Sequence, residues 1–365
     1  MRVAVVGTGL VGASFGLAAR RADADEVVGW DEDPDALDVA VERGAVSRAG
    51  SLEEALAEAE VALVAVPVAA LPSAVRSVLA SAPEGCTVTD AGSTKESVCA
   101  AAAGDPRFVG GHPICGAETQ GPGRASAELF DGATWFLTPL AATEPERYRA
   151  IHALVASLGA RPVAIDPVAH DRLVAVTSHL PHALANVLLN QAGASRVDGH
   201  EPLAAAGGSL RDMTRIAGAN PRIWVDIFLD NRAALASALA EHRRRVEQLE
   251  AALAEGDAGF LARWIGEASG NRRRMLESAY EDAGRLHRLR VHVPDRPGVL
   301  AGIFQALGAE RINVADFDLE HLSRDRGGTL TILVGGEEDA ALAASMLEAQ
   351  GYGVVVAPVV GDAST

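Results

Sequence analysis

Arg2-Val3-Ala4-Val5-Val6-Gly7-Thr8-Gly9-Leu10-Val11-Gly12 decides how this chain folds. A short apolar run of strand type leads straight into G-x-G-x-x-G, and the helix-compatible stretch Ala13 to Arg21 follows. A dinucleotide site requires that order. Gly7 permits the tight turn, Gly9 lets a pyrophosphate approach the backbone, and Gly12 lets the helix pack closely on the strand. The pyrophosphate would rest on the helix N-terminus, beside Leu10 and Val11. A second strand, Glu26-Val27-Val28-Gly29-Trp30, ends at Asp31, where an acid accepts from ribose hydroxyls. Asp31, Glu32 and Asp33 together repel a 2′-phosphate, which favours NAD over NADP as cofactor.

Working outward, Val61 to Val66 and Thr87 to Asp90 read as further strands of a doubly wound sheet, separated by an alanine-rich helical stretch. Their ends, at Val66-Pro67 and at Asp90-Ala91-Gly92-Ser93-Thr94-Lys95, are expected to line the crevice beyond the carboxyl edge, where ligands bind in this architecture. Downstream, Gly111-His112-Pro113-Ile114-Cys115-Gly116-Ala117-Glu118-Thr119-Gln120-Gly121 sets a histidine among glycines. Phe108-Val109-Gly110 reads as the end of a short strand, and Pro113 is expected to stop the ladder there. His112 is then a candidate catalytic group at a strand edge facing a cleft, the plain alternative being a solvated turn histidine. Ser93 is a candidate partner for His112 or for substrate, and equally a helix N-cap.

The length of 365 residues implies two or three domains. A formal net charge of −17 repels a phosphate backbone, so nucleic acid and anionic membrane surfaces are excluded as expected partners in favour of a small molecule. Cys86, Cys99 and Cys115 are too few and too scattered for a disulfide framework or a zinc site, and read as small hydrophobes in a reducing cytoplasm. No charged-then-apolar leader opens the sequence, and no apolar run is long enough to span a bilayer. A cytoplasmic location is the expectation.

From about Asp166 to Tyr280 helical signals dominate. Leu235, Leu239, Val246, Leu249 and Leu253 form an apolar stripe on a helix whose other faces carry charge, which needs a partner within the chain or a second copy. A homodimer is expected. Ser178-His179-Leu180-Pro181-His182 places two histidines three residues apart, on one face if the backbone is helical; no third ligand lies at metal-site spacing, so no metal is expected. Gly207-Gly208-Ser209-Leu210-Arg211-Asp212-Met213-Thr214-Arg215 turns from loop to helix and brings Arg211 and Arg215 to one face. Guanidinium forks suit substrate carboxylates, although Asp212 and Arg215 also have the spacing of a surface ion pair. After Arg285 the pattern becomes β-α-β-β-α-β, a small ferredoxin-like unit. The expected architecture is an α/β Rossmann-type doubly wound domain (1–165), an all-helical domain (166–284) and a small α+β ferredoxin-like domain (285–365).

The glycine motif, Asp90 to Lys95, Gly111 to Gly121, Ser178 to His182 and Gly208 to Ile216 occur in the order seen in prephenate dehydrogenases of tyrosine biosynthesis, and the chain resembles that family over nearly its whole length. The tail, with Asp295-Arg296-Pro297-Gly298-Val299-Leu300, resembles an ACT domain, a module that binds an amino acid as regulator. The resemblance implies NAD-dependent oxidative decarboxylation of prephenate to 4-hydroxyphenylpyruvate. It implies His112 as catalytic base with support from Ser93, and a substrate site built from His179, His182 and Arg215, with Arg211 beside it. Ala117 departs from the polar residue found in some relatives and leaves Glu118 as the nearby polar candidate. For the tail it implies tyrosine as effector, held near Asp295, Gly298 and Asn313. Arogenate dehydrogenase and dual-specificity cyclohexadienyl dehydrogenase share these motifs. An alternative of another class is a non-catalytic NAD and amino-acid sensor.

Overall fold

The computed structural model describes residues 1–102, 104–115, 121–279, 286–323 and 327–359. Among these, contacts divide the chain into two compact units, Met1–Arg243 and Arg244–Thr365.

The first unit is organised by strand β1 (Arg2–Val6), which pairs in parallel with β2 (Glu26–Trp30) on one side and with β4 (Val61–Val64) on the other. With β3 (Ser47–Arg48), β5 (Thr87–Asp90), β6 (Phe108–Pro113), β7 (Thr134–Pro139) and β8 (Arg161–Ala164), the sheet order is β3-β2-β1-β4-β5-β6-β7-β8. All pairings are parallel except β6 with β7. The twofold alternation of side chains splits β1 between two cores. Val3 and Val5 pack with Phe15 of α1 (Leu10–Arg21), Leu37 of α2 (Pro34–Glu42) and Ile151 of α6 (Pro145–Ser157). Ala4 and Val6 pack with Leu56 of α3 (Leu52–Leu56), Val75 of α4 (Leu71–Ser81) and Val98 of α5 (Glu96–Ala101). A strand buried on both faces must be apolar throughout, as β1 is from Val3 onward. The chain leaves β1 toward β2 and later returns to β4 on the opposite side, so a crevice opens at the carboxyl ends of β1 and β4.

The strand carrying His112 is longer than its sequence suggests. β6 runs through Pro113, with His112 opposite Phe136 and Pro113 opposite Trp135, and the Ile114 N–H continues the pairing by donating to the Thr134 carbonyl at 2.8 Å. The ladder accommodates Pro113 as its last paired residue because β5 pairs only with Phe108 and Val109; at Pro113 the side that lacks an N–H faces no strand.

The helical part of this unit begins with α7 (Pro167–Val174), capped by the Asp166 carboxylate, and passes through a π-helical turn (Ala175–His179) into α8 (Leu180–Ala194). Then come α9 (Gly208–Thr214), α10 (Pro221–Asp230) and α11 (Arg232–Glu255), of which residues up to Arg243 belong to this unit. Of the stripe on α11, Leu235 is buried, while Leu239, Val246 and Leu253 are exposed.

The second unit contains α12 (Ala258–Ala279), then β9 (Leu286–Val293), α13 (Val299–Ala309), β10 (Val314–Ser323), β11 (Gly327–Gly335), α14 (Glu337–Ala349) and β12 (Gly353–Pro358). The antiparallel sheet β10-β11-β9-β12 is ferredoxin-like in order. Leu289, Val291 and Val293 alternate into a core with Leu330, Ile332, Ile303 and Leu347.

Candidate active site

At the carboxyl end of β1 the glycines meet the demands of a dinucleotide turn. Gly7 sits at φ +91°, and a β-carbon on Gly12 would lie 1.9 Å from the Gly7 carbonyl oxygen, so neither position accepts a side chain. A β-carbon on Gly9 would meet nothing within 4 Å, which leaves that backbone open to an approaching ligand. Leu10 and Val11 begin α1, whose first turn carries no acid of its own. Val66 lies beside Gly7 across the crevice, with the exposed Pro67 next to it. Asp31 follows β2; its carboxylate accepts from the Thr8 N–H at 2.5 Å and the Thr8 hydroxyl at 3.0 Å, joining the acid to the glycine turn. Asp33 serves α2 as N-cap, accepting from the Asp35 and Ala36 amides. These residues fit a dinucleotide: bare backbone where phosphates approach, a helix N-terminus, and an acid at the ribose end.

His112 lies on the same edge of the sheet, near the end of β6. Two layers hold it. Beneath it, Asp90 and Lys95 form an ion pair with no exposure of either side chain. The Lys95 ammonium also donates to the Gly111 carbonyl at 2.6 Å, while Asp90 accepts from the amides of Gly111 at 3.0 Å and Gly92 at 2.8 Å. A charge is tolerated in a dry interior only when such partners surround it. Beside it, His112 Nδ1 meets His170 Nε2 at 2.9 Å, and His170 Nδ1 meets Asp171 Oδ1 at 2.8 Å. Burial, reinforced by the neighbouring His170, Lys95 and His179, holds the His112 imidazole well below its ordinary pKa of 6.5. It is unprotonated at neutral pH.

His179 and His182 do share a face, since the backbone is helical through Pro181. His179 is buried and accepts from the Asn231 amide at 3.1 Å; burial pushes its pKa down to about 4 against the opposing pull of Asp171. His182 is stacked on Trp224 with ring centroids 3.5 Å apart, and burial lowers its pKa as well. Asp230, next to Asn231, accepts from Thr94 at 2.6 Å and Ser97 at 2.8 Å, so the loop after β5 is fastened to the end of α10.

The remaining expected residues divide. Ser93 is half-buried in the loop after β5, but the ring nitrogen His112 Nδ1 is paired with His170, and no hydrogen bond of the Ser93 side chain is found among the described residues. Arg211 and Arg215 lie exposed on α9 and at its C-cap, with α9 packed on α8. Glu118 lies outside the described residues, as does the 284/285 boundary. In the second unit Asp295 lines a cavity of about 80 Å³ with Pro294, Arg296, Val299, Leu300 and Leu319. Gly298 is the left-handed N-cap of α13, and Asn313 precedes β10 without lining that cavity. No cluster of metal-ligating side chains occurs among the described residues.

Sequence reasoning missed His170, Asp171, Trp224, Asp230 and Asn231. One signal was available for the first two: on α7 they share the buried face with Val174, a spacing that turns them inward.

Three family models match in succession: the prephenate dehydrogenase nucleotide-binding domain over residues 15–164, the prephenate dehydrogenase dimerization domain over 166–267, and the ACT domain over 287–350. A prephenate dehydrogenase of Bacillus subtilis (strain 168) is 30% identical over 357 residues, covering 95% of this chain and 96% of its own. A crystal structure of Aquifex aeolicus prephenate dehydrogenase in complex with hydroxyphenyl propionate and NAD+ superposes with a TM-score of 0.70 at 27% identity, covering 75% of this chain and 98% of that one. Synechocystis arogenate dehydrogenase gives a TM-score of 0.67 at 28% identity, over 75% of this chain and 100% of that one. With two prephenate dehydrogenase models matched over residues 15–164 and 166–267 and a relative matched almost end to end, the chain belongs to the prephenate dehydrogenase family.

Proposed function

We propose that this protein catalyses the NAD-dependent oxidative decarboxylation of prephenate to 4-hydroxyphenylpyruvate. The observation that carries the reading is His112: a half-buried imidazole whose pKa is held well below its ordinary value, on the sheet edge that also carries the glycine turn. Prephenate bears a ring carboxylate para to a hydroxyl-bearing carbon. Loss of hydride from that carbon, of the hydroxyl proton and of carbon dioxide leaves an aromatic ring, and aromatisation drives the reaction. NAD, when bound, supplies the hydride acceptor.

The protein's own task is placement and polarisation. His112 accepts the hydrogen bond of the substrate hydroxyl. Its depressed pKa makes it a weak base in the ground state, so the proton moves only as hydride departure makes the hydroxyl acidic. Ser93 lies in the loop after β5, where it can take a second hydrogen bond. His179 and His182, backed by Trp224, supply a neutral polar wall, and Arg215 with Arg211 offers guanidinium forks for carboxylates. Glu118 is the polar candidate in the segment after β6. Gly7, Gly9, Leu10, Val11, Gly12, Asp31, Val66 and Pro67 hold the cofactor.

The similarity to Synechocystis arogenate dehydrogenase supports a second reading, in which the side chain is an amino acid and the product is tyrosine. We further infer a cytoplasmic homodimer joined through the helical region, whose exposed Val187, Val225 and Leu229 favour a covered face. The ACT domain takes a small-molecule effector, for which tyrosine is the first candidate, near Asp295, Gly298 and Asn313. The test runs prephenate and arogenate side by side with NAD. NADH formation with prephenate at the higher kcat/KM is expected; preference for arogenate selects the second reading, and turnover of neither leaves a sensor.

A further inference from the structure

The His112 imidazole has two nitrogens, and only one of them can receive a proton from substrate. Its Nδ1 is occupied by His170 Nε2 at 2.9 Å, the rings standing edge to face with centroids 5.0 Å apart. His170 has no solvent exposure, and its Nδ1 contacts Asp171 Oδ1 at 2.8 Å. The Asp171 carboxylate is itself saturated with donors that cannot reverse. Oδ1 accepts from the Lys95 backbone N–H at 2.7 Å and Oδ2 from that of Glu96 at 2.9 Å. The Asn231 amide donates to the Asp171 carbonyl at 2.8 Å and fixes the residue from the other side.

We propose that His170 and Asp171 are positioning residues that set the tautomer of His112, leaving Nε2 as its proton-accepting atom. Backbone amides only donate, so Asp171 is held as an acceptor and the proton between it and His170 sits on His170 Nδ1. A His170 ring holding that one proton carries its lone pair on Nε2, where it can only accept from His112. The His112 proton therefore sits on Nδ1, and its lone pair on Nε2. When Nε2 takes the substrate proton, the His112–His170 hydrogen bond becomes charge-assisted, with the Asp171 charge at its far end. Within this row of three side chains nothing moves but the arriving proton, which passes from the substrate hydroxyl to His112 Nε2, while the hydride and carbon dioxide leave the substrate on their own paths. The proposal rests on His112 being the base of the preceding section.

The test uses the full chain and two variants. Asp171→Asn cannot accept from both backbone amides and His170 at once. His170→Phe keeps the ring volume, leaves Asp171 on its amides and removes the acceptor for His112 Nδ1. Each variant is expected to lower kcat by roughly 10² to 10⁴, the size seen when an orienting carboxylate is lost from a histidine base. KM for substrate and the Kd for NAD should stay within about threefold, a loss of roughly 0.6 kcal/mol that separates positioning from binding. Nitrogen-15 imidazole spectra of the substrate-free wild type should give His112 a protonated Nδ1 and a bare Nε2, and His170→Phe should mix the two tautomers. This spectrum does not depend on the substrate's identity, so a wild type with the expected tautomer and no turnover of either cyclohexadienol would keep the relay and remove the functional reading. Wild-type His112 protonated on Nε2, or near-normal kcat in folded His170→Phe, overturns the proposal.

Discussion

Asp90 and Lys95 face each other with neither side chain exposed, and between them they grip both backbone groups of Gly111, the residue before His112. The pair is the floor on which the strand end carrying His112 is set. Removing one member leaves a buried charge without its counter-ion, which costs far more than the intact pair contributes. Lys95→Met is expected to lower the unfolding free energy by about 3 to 5 kcal/mol, read from urea titrations. A loss below about 1 kcal/mol would mean that water reaches Asp90 and that the floor is not needed.

On the proposed reading, cofactor choice is set at the end of β2. Asp31 combines a negative charge at the ribose position with two hydrogen bonds to Thr8, so Asp31→Ser removes the repulsion of a 2′-phosphate and also loosens the glycine turn. Binding of NAD should weaken, and the NAD-to-NADP preference should fall by about tenfold or more, equivalent to roughly 1.4 kcal/mol. Fluorescence titration of both cofactors measures this. A wild type that already prefers NADP would contradict the role given to the acid.

The histidines make the fold sensitive to acid. Burial depresses the pKa of His112, brings His179 to about 4 and lowers His182, whereas the unfolded chain protonates these groups near 6.5. Protons therefore bind the unfolded state preferentially below pH 6.5. The stability associated with His179 is fully present above that value and is lost as pH falls toward 4, by up to about 3 kcal/mol. Urea midpoints should drop across this window, and His179→Asn should flatten the drop. A midpoint constant between pH 6.5 and 4 would contradict the burial argument.

How much of this was legible in the sequence varies with the range of the interaction. The dinucleotide turn was legible because its requirement is local: Gly7 needs its positive φ and Gly12 its missing side chain. The ferredoxin-like unit was legible because Leu289, Val291 and Val293 alternate toward one core. His112 was singled out from its setting among glycines, but the strand was read as ending near Gly110, whereas it runs on to Pro113, since the absence of a neighbour on the N-side of that proline is a property of the sheet and not of the residue. The relay behind His112 was not seen. It joins residues 58 and 76 positions apart, from His112 to His170 and from Lys95 to Asp171, and nothing local announces that convergence.

The central claim is that His112 takes the substrate's hydroxyl proton, and steady-state kinetics of His112→Asn with prephenate at saturating NAD tests it most directly. The amide preserves polarity and approximate size but cannot serve as a base. A kcat lower by roughly 10² to 10⁴, with NAD affinity unchanged, is the predicted result. Turnover near the wild-type rate would contradict the account and remove His112 from the chemistry.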